Sequence, residues 1–183
     1  MRLLRNILHK RSTDIDWEQV YREQYPRLYN FFRYRLGNDV QAEDLTAEVF
    51  ERAWRNRHQY HDDLGRFEAW LFGIARNVVA NHFRKAGKTL TEPSLHALEQ
   101  TLATPDDAAL EAHVQHIQDI QQLATLLDHL TDRERELIAF KYGSGLNNRQ
   151  IAHLTGMSES NVGTSIHRTV QKLRRAWKDE SNA

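Results

Sequence analysis

Between Phe67 and Lys88 the chain reads FEAWLFGIARNVVANHFRKAGK, and Phe67, Trp70, Leu71, Ile74 and Val78 follow a three- and four-residue spacing. An α-helix brings such positions onto one face. The stretch therefore reads as a helix that softens near Gly73 into a second helical run. Asn77, Asn81, Arg84, Lys85 and Lys88 share the opposite side, with Arg76 beside them, and no carboxylate lies between Glu68 and Glu92. Amides can pair with base edges and cations can hold phosphates. A basic face of this kind is often only a solvated surface, so the rest of the chain has to decide.

The same period runs through most of the other segments. Over residues 14–36 it is carried by Trp17, Val20, Tyr21, Tyr25, Leu28 and Phe32. Pro26 removes one helical donor and predicts a kink or junction. Gly37-Asn38-Asp39 then stops that helix and caps the next. Residues 39–57 place Val40, Leu45, Val49, Ala53 and Trp54 inward, with Glu43, Asp44, Glu48 and Glu51 outward. Arg52, Arg55 and Arg57 gather at the C-terminal end, as the helix dipole favours. With 3 prolines, 8 glycines and little strand-like alternation, the chain reads as all-α.

The last part begins near Val114. Ile117, Ile120, Leu123, Leu127 and Leu130 form a stripe, and Thr131-Asp132-Arg133-Glu134 is a capping box. It opens a helix carrying Leu137, Ile138, Phe140 and Tyr142, which Gly143 and Gly145 are expected to end. Asn148 to Leu154 is a short helix with Ile151, Ala152 and Leu154 inward. Thr155-Gly156-Met157 is a tight turn, and Ser158 caps a second helix packed through Val162, Ile166, Val170 and Leu173. This is a helix-turn-helix pattern. Ser160, Asn161, Thr164, Ser165, His167, Arg168 and Gln171 are its exposed set.

Composition narrows the function. The chain has no cysteine, which removes disulfides, thiolate metal sites and cysteine nucleophiles. No apolar run approaches the ~20 residues of a membrane helix, and the basic start MRLLRNILHKR lacks a signal-peptide core. His58, His61, Asp62 and Asp63 read as a turn and cap rather than a metal site, and His113 and His116 lack a third ligand. Net charge is zero, but its distribution is not even. From Thr89 to Asp128 there is no Lys or Arg, while Glu92, Glu99, Asp106, Asp107, Glu111, Asp119 and Asp128 are acidic. Basic patches lie at Arg76 to Lys88 and at Arg168, Lys172, Arg174, Arg175 and Lys178. That layout suggests two anion-binding modules joined by a segment that avoids the same anion.

Three segments carry a family resemblance. WLFGIARNVVANHFR resembles the promoter-melting segment of bacterial extracytoplasmic-function (ECF, group 4) sigma factors of the sigma-70 family. AEDLTAEVFERAW is similar to their polymerase-docking helix, and LTDRERELIAFKYGSGLNNRQIA to their domain for the minus-thirty-five element. The resemblance covers about residues 17–178. It implies two small helical domains joined by a flexible acidic linker, the second with the helix-turn-helix. The expected bounds are a leader at 1–13, a region 2 domain at 14–88, the linker at 89–112 and a region 4 domain at 113–180. It implies binding to core RNA polymerase and promoter DNA in the cytoplasm, with an anti-sigma factor as a candidate partner. No enzymatic activity, cofactor, metal, membrane insertion or small-molecule substrate is expected.

The resemblance also assigns residues. Asp44, Ala47, Glu48 and Glu51 map onto the polymerase-docking surface, with Ala47 where the family often has Gln. Asn77 sits beside the loop that cups a flipped base of the minus-ten element, and Asn81, Arg84, Lys85 and Lys88 track adjoining DNA. Ser158, Ser160, Asn161, Thr164, Ser165, His167, Arg168, Gln171 and Lys172 map onto the minus-thirty-five reader, with Gly163 where the family frequently has a cation. A helix-turn-helix regulator acting without polymerase is the main rival. It accounts for residues 131–178 alone.

Overall fold

The structure is a computed structural model that describes residues 15–61, 66–87 and 122–181. The leader, the acidic linker, Asp62, Asp63, Lys88, His113, His116 and the start of the second domain lie outside the described residues. Among the described residues every regular element is helical.

Helix α1 spans Trp17–Leu36. The Asp16 carboxylate accepts the amides of Glu18 and Gln19, both at 3.1 Å, and so caps the N-terminus. Gly37, at φ 67°, ends the helix and its amide returns to the Arg33 carbonyl at 2.8 Å. The kink expected at Pro26 does not break α1. Pro26 is exposed, so water can satisfy the carbonyl left without a donor. Helix α2, Asp39–Arg55, starts at Asn38, whose side chain accepts the Gln41 amide at 2.9 Å. Asp39 locks the corner: it pairs with Arg33 at 2.6 Å and accepts from the Tyr29 hydroxyl at 3.2 Å. Val40 is not inward as expected but 64% exposed. Trp54 is half exposed, with one ring edge on Trp17 at 5.2 Å.

A short 3-10 turn at Arg57–Gln59 leads towards α3, Phe67–Lys85. No softening occurs at Gly73, and α3 runs through it as one helix. Leu71, Phe72, Ala75, Val78 and Val79 are its buried side.

The second half comprises residues 122–128 (α4), α5 at Asp132–Ile138, a π-turn at Ala139–Gly143, α6 at Asn148–Thr155 and α7 at Glu159–Ser181. The Thr131 capping box forms in both directions. The helical run widens into the π-turn and ends at Gly143 as expected; Tyr142 on it is 53% exposed. Gly156, at φ 71°, makes the turn between α6 and α7.

The two halves share one core. Phe140 of the π-turn is fully buried and stacks on Phe31 of α1, centroids 4.7 Å apart, with Phe72 of α3 at 6.4 Å. Leu146 and Ile151 join the same cluster. Arginines ring it: Arg27 donates to the Ser144 carbonyl at 2.8 Å, Arg35 to the Asp132 carbonyl at 3.0 Å, and Arg135 to the Tyr34 carbonyl at 2.8 Å.

Candidate nucleic-acid interface

Three exposed faces come out of this packing. On α2, Glu43, Asp44, Ala47 and Glu51 are exposed and Glu48 is half-buried. Glu48 pairs with Arg52, and Glu51 with Arg55 at 2.6 Å, each one turn on. Both carboxylates are thereby partly neutralised within their own helix. Asp44 has no such partner among the described residues, so it presents the freer negative charge.

On α3, Asn77 is exposed and its side chain has no hydrogen-bond partner among the described residues. The Asn81 side-chain carbonyl accepts from Arg84 at 2.8 Å, which leaves its amide donor outward. Arg84 and Lys85, three and four residues after Asn81, are exposed about one turn on. Arg76 does not join this row as its position suggested. It donates to Glu136 at 2.8 Å and to the Leu154 carbonyl at 2.9 Å, both in the second half.

On α7, Ser160, Asn161, Thr164, His167 and Arg168 are exposed, and Ser165 and Gln171 are half-buried. Ser158 is occupied as a cap, its hydroxyl accepting the Asn161 amide at 3.2 Å. Ser165 donates to the Asn161 side-chain carbonyl at 3.4 Å. Lys172 is paired with Glu134 at 3.0 Å. Burial pushes the Glu134 carboxyl up, but donors from Thr131 and Lys172 outweigh it and hold it below the usual carboxylate range.

Gly163 has a local reason that the sequence did not announce. A Cβ there would lie 3.2 Å from the Asn148 side-chain nitrogen, and Asn148 in turn accepts from Lys141 at 3.2 Å. The bare position lets α6 seat its first residue against α7.

Two concavities flank these faces. A groove of about 710 Å³ between α4 and α7 has Leu123, Leu126, Leu173 and Trp177 on its floor and Arg174, Arg175 and Lys178 at its rim. A crevice of about 330 Å³ between α3 and α6 is lined by Tyr60, His61, Arg66, Trp70, Gly73 and His153 among others. Among the described residues no group of three or more His, Cys, Asp or Glu is placed to hold a metal ion. Nor is any described helix long and apolar enough to cross a membrane.

Comparison with known proteins fits this layout. The family model for Sigma-70 region 2 matches residues 20–89, and that for Sigma-70, region 4 matches residues 120–173. The ECF RNA polymerase sigma factor BldN of Streptomyces coelicolor is 30% identical over 168 residues, covering 89% of this chain; the chain spans 61% of that relative's length. The ECF RNA polymerase sigma factor SigM of Bacillus subtilis is 26% identical over 86% of this chain and 92% of its own. Among solved structures, the sigma factor RpoE of Bartonella quintana, in complex with the anti-sigma factor NepR, superposes with a TM-score of 0.67 at 23% identity. That match covers 89% of this chain and 97% of RpoE, and it speaks for the fold alone. Two sigma-70 regions in order, together with ECF relatives along most of the length, place the chain in the sigma-70 family, in its extracytoplasmic-function branch.

Proposed function

We propose that the protein is a group-four sigma factor. It binds core RNA polymerase, carries it to a promoter and holds the opened non-template strand. The observation that carries this reading is the α3 face. Asn77, Asn81, Arg84 and Lys85 form a row of amides and cations uninterrupted by a carboxylate, in the region matched to Sigma-70 region 2. In this reading residues 14–88 dock polymerase and melt the minus-ten element, 89–112 are the linker, and 113–180 read the minus-thirty-five element.

Each face then has a task. Asp44, Glu48 and Glu51 with Ala47 meet the polymerase. Asn77 pairs with the edge of an unstacked base, while Arg84 and Lys85 hold flanking phosphates. Unstacking costs a few kcal/mol, which these contacts offset. Ser160, Asn161, Thr164 and Arg168 face base edges, with Lys172 towards phosphate once it leaves Glu134. The chain supplies binding energy and no chemistry of its own, so it is not an enzyme, and it acts in the cytoplasm with polymerase. An anti-sigma factor, like the NepR seen on RpoE, is a further partner.

The test is abortive transcription from candidate promoters with purified core polymerase, with and without the protein. Promoter-specific products that require both components are expected. Specific duplex binding with no effect on core polymerase would favour a free-standing helix-turn-helix regulator instead.

A further inference from the structure

Beside the base-facing side of α7 lies a further concavity of about 300 Å³. It is lined by Lys141 and Tyr142 of the π-turn, Asn148 of α6, and Gly163, His167 and Arg174 of α7 among others. No carboxylate is among the described residues that line it. In a chain whose 25 acidic side chains balance its 25 basic ones, that is a local excess of positive charge. Both cations are available. Arg174 is exposed, with no hydrogen bond or ion pair among the described residues. Lys141 is half-buried, and its Nζ donates to the Asn148 side-chain carbonyl at 3.2 Å. Its remaining donors are free, and no carboxylate pairs with it among the described residues.

Glycine is unfavourable inside a helix, and Gly163 is not among the glycines whose positive φ requires it. What it gains is the seat of Asn148, whose side-chain nitrogen would lie 3.2 Å from a Cβ there. Asn148 in turn holds Lys141. A duplex read by α7 passes over this place. A helix is about 10–12 Å across and the major groove about 12 Å wide, so a helix that reads bases has a phosphate strand on each flank. Gln171, assigned to the base-reading set, lines the concavity, and Thr164 is the chain neighbour of Gly163. With Thr164 at the base edges, one strand runs along the α6 side of α7. Arg174 lies about 15 Å beyond Thr164 at ~1.5 Å per residue, whereas Lys141 is tied to the Gly163 end, so the two cations reach different phosphates of that strand.

We propose that this concavity is a phosphate-strand site, in which Lys141 and Arg174 hold the DNA backbone on the α6 side of α7 while Gly163 and Asn148 position Lys141. The proposal rests on the promoter-binding reading above. It places a DNA contact on the π-turn, outside the two helices of the helix-turn-helix. The cation that the resemblance leads one to expect at position 163 is thereby supplied from Lys141 instead. Tyr142, 53% exposed at the same rim, adds a hydroxyl that donates to a phosphate oxygen.

The test is the fluorescence anisotropy of a labelled promoter duplex titrated with the full chain on core polymerase, from ~50 to ~200 mM salt. Lys141→Gln and Arg174→Gln should each weaken binding about three- to tenfold. Each should also make the plot of log K against log salt shallower by about 0.9, the mark of one lost phosphate contact. The loss should be the same whichever sequence fills the upstream element, because phosphates carry no sequence. Arg22→Gln removes the same charge from α1, outside the concavity, and should change neither quantity. In the Lys141→Gln background, Gly163→Lys should restore most of the affinity and the slope; the Asn148 side chain need only give by a few tenths of an ångström. Slopes unchanged in both single variants overturn the site. A loss confined to one upstream sequence also overturns it, since that is base reading, and failure of Gly163→Lys to restore binding overturns the role of charge at Lys141. If Lys141→Gln or Gly163→Lys lowers the urea midpoint, Arg174→Gln decides alone, because its side chain is exposed and supports no contact among the described residues. A parent holoenzyme without promoter preference defeats the promoter reading. The site then stands or falls by the same slopes on a plain duplex bound by the full chain, and no duplex binding at all overturns both.

Discussion

Phe140→Ala should destabilise both halves of the molecule, although Phe140 belongs to the second. Its ring is fully buried between Phe31 and Phe72, which lie in α1 and α3. Removing a buried phenyl ring costs about 3–5 kcal/mol, from lost transfer energy plus the cavity left behind. The stacked Phe31–Phe140 pair, at 4.7 Å and 23°, adds a specific coupling of about 0.5–1.5 kcal/mol, readable in a double-mutant cycle with Leu at both positions. The tryptophans give a convenient assay. Trp17, Trp54 and Trp70 lie in the first half and Trp177 in the second. In a Trp177→Phe background, fluorescence during urea unfolding reports the first half alone, while far-UV circular dichroism reports the whole chain. A shared core requires the two midpoints to coincide in the parent and to fall together in Phe140→Ala. The reasoning is refuted if the fluorescence midpoint stays at the parent value while the dichroism transition splits in two.

Three further outcomes follow from the same contacts. Asp44→Lys should weaken core-polymerase binding more than Glu51→Lys, because Glu51 is already paired with Arg55; equal losses in a pull-down titration would remove the distinction. Asn77→Ala should leave the unfolding midpoint unchanged but reduce promoter opening and relax preference at one minus-ten base, by about 1–3 kcal/mol for a bidentate contact. Permanganate footprints indistinguishable from wild type at all four bases would place the pocket elsewhere. The Tyr29 hydroxyl is pushed up from 10.0 to about 12, by burial first and by Asp39 second. Its contribution to stability is therefore complete below pH 10 and is lost as pH rises towards 12. Tyr29→Phe should flatten that alkaline fall in urea midpoints, and a parallel slope in the variant would assign the fall to other groups.

Much of the fold was legible because its signals are local. The Asn38 and Thr131 caps and the Gly37 and Gly156 turns each depend on neighbours within four residues. So do the apolar stripes of α3 and α7. What was not legible depends on partners far along the chain. Arg76 looked like one more cation on a DNA face because no carboxylate lies near it in sequence; Glu136 and Leu154 are 60 and 78 residues away. Gly143 does end its helical run as it reads in sequence, but the reason it is bare lies elsewhere: α1 backbone passes within 2.9 Å of where a methyl would sit. Val40 looked like core because periodicity cannot tell which apolar residue at a helix start has a neighbouring element to pack against. The site residues on α2, α3 and α7 were assigned by resemblance. The structure adds which of them are already engaged, among them Glu48, Glu51 and Lys172 in ion pairs, Ser158 as a cap, and Asn81–Arg84 and Asn161–Ser165 with each other.

The chemistry of the contact between the halves bears on how they find their register. An all-apolar seam would be tight but indifferent to register, and once parted it would aggregate. Here the apolar part is a compact Phe cluster, and the surround is arginine. Each guanidinium has several fixed donors and serves two acceptors at once: Arg76 a carboxylate and a carbonyl, Arg135 Asp128 and the Tyr34 carbonyl. Lysine could supply the charge but not the forked geometry. Arg35 shows what this arrangement costs. It is 7% exposed, lies over the Phe83 ring at 5.1 Å, and its buried Nε has no acceptor. Burial pulls its pKa below the usual arginine value, although Glu136 and Asp132 oppose the shift. A cation held this way adds little net stability, because desolvation cancels most of the attraction. It does penalise any displaced register, where the same charge would be buried with fewer acceptors. The Phe cluster thus sets how firmly the halves pack, and the arginine ring sets the register in which they pack.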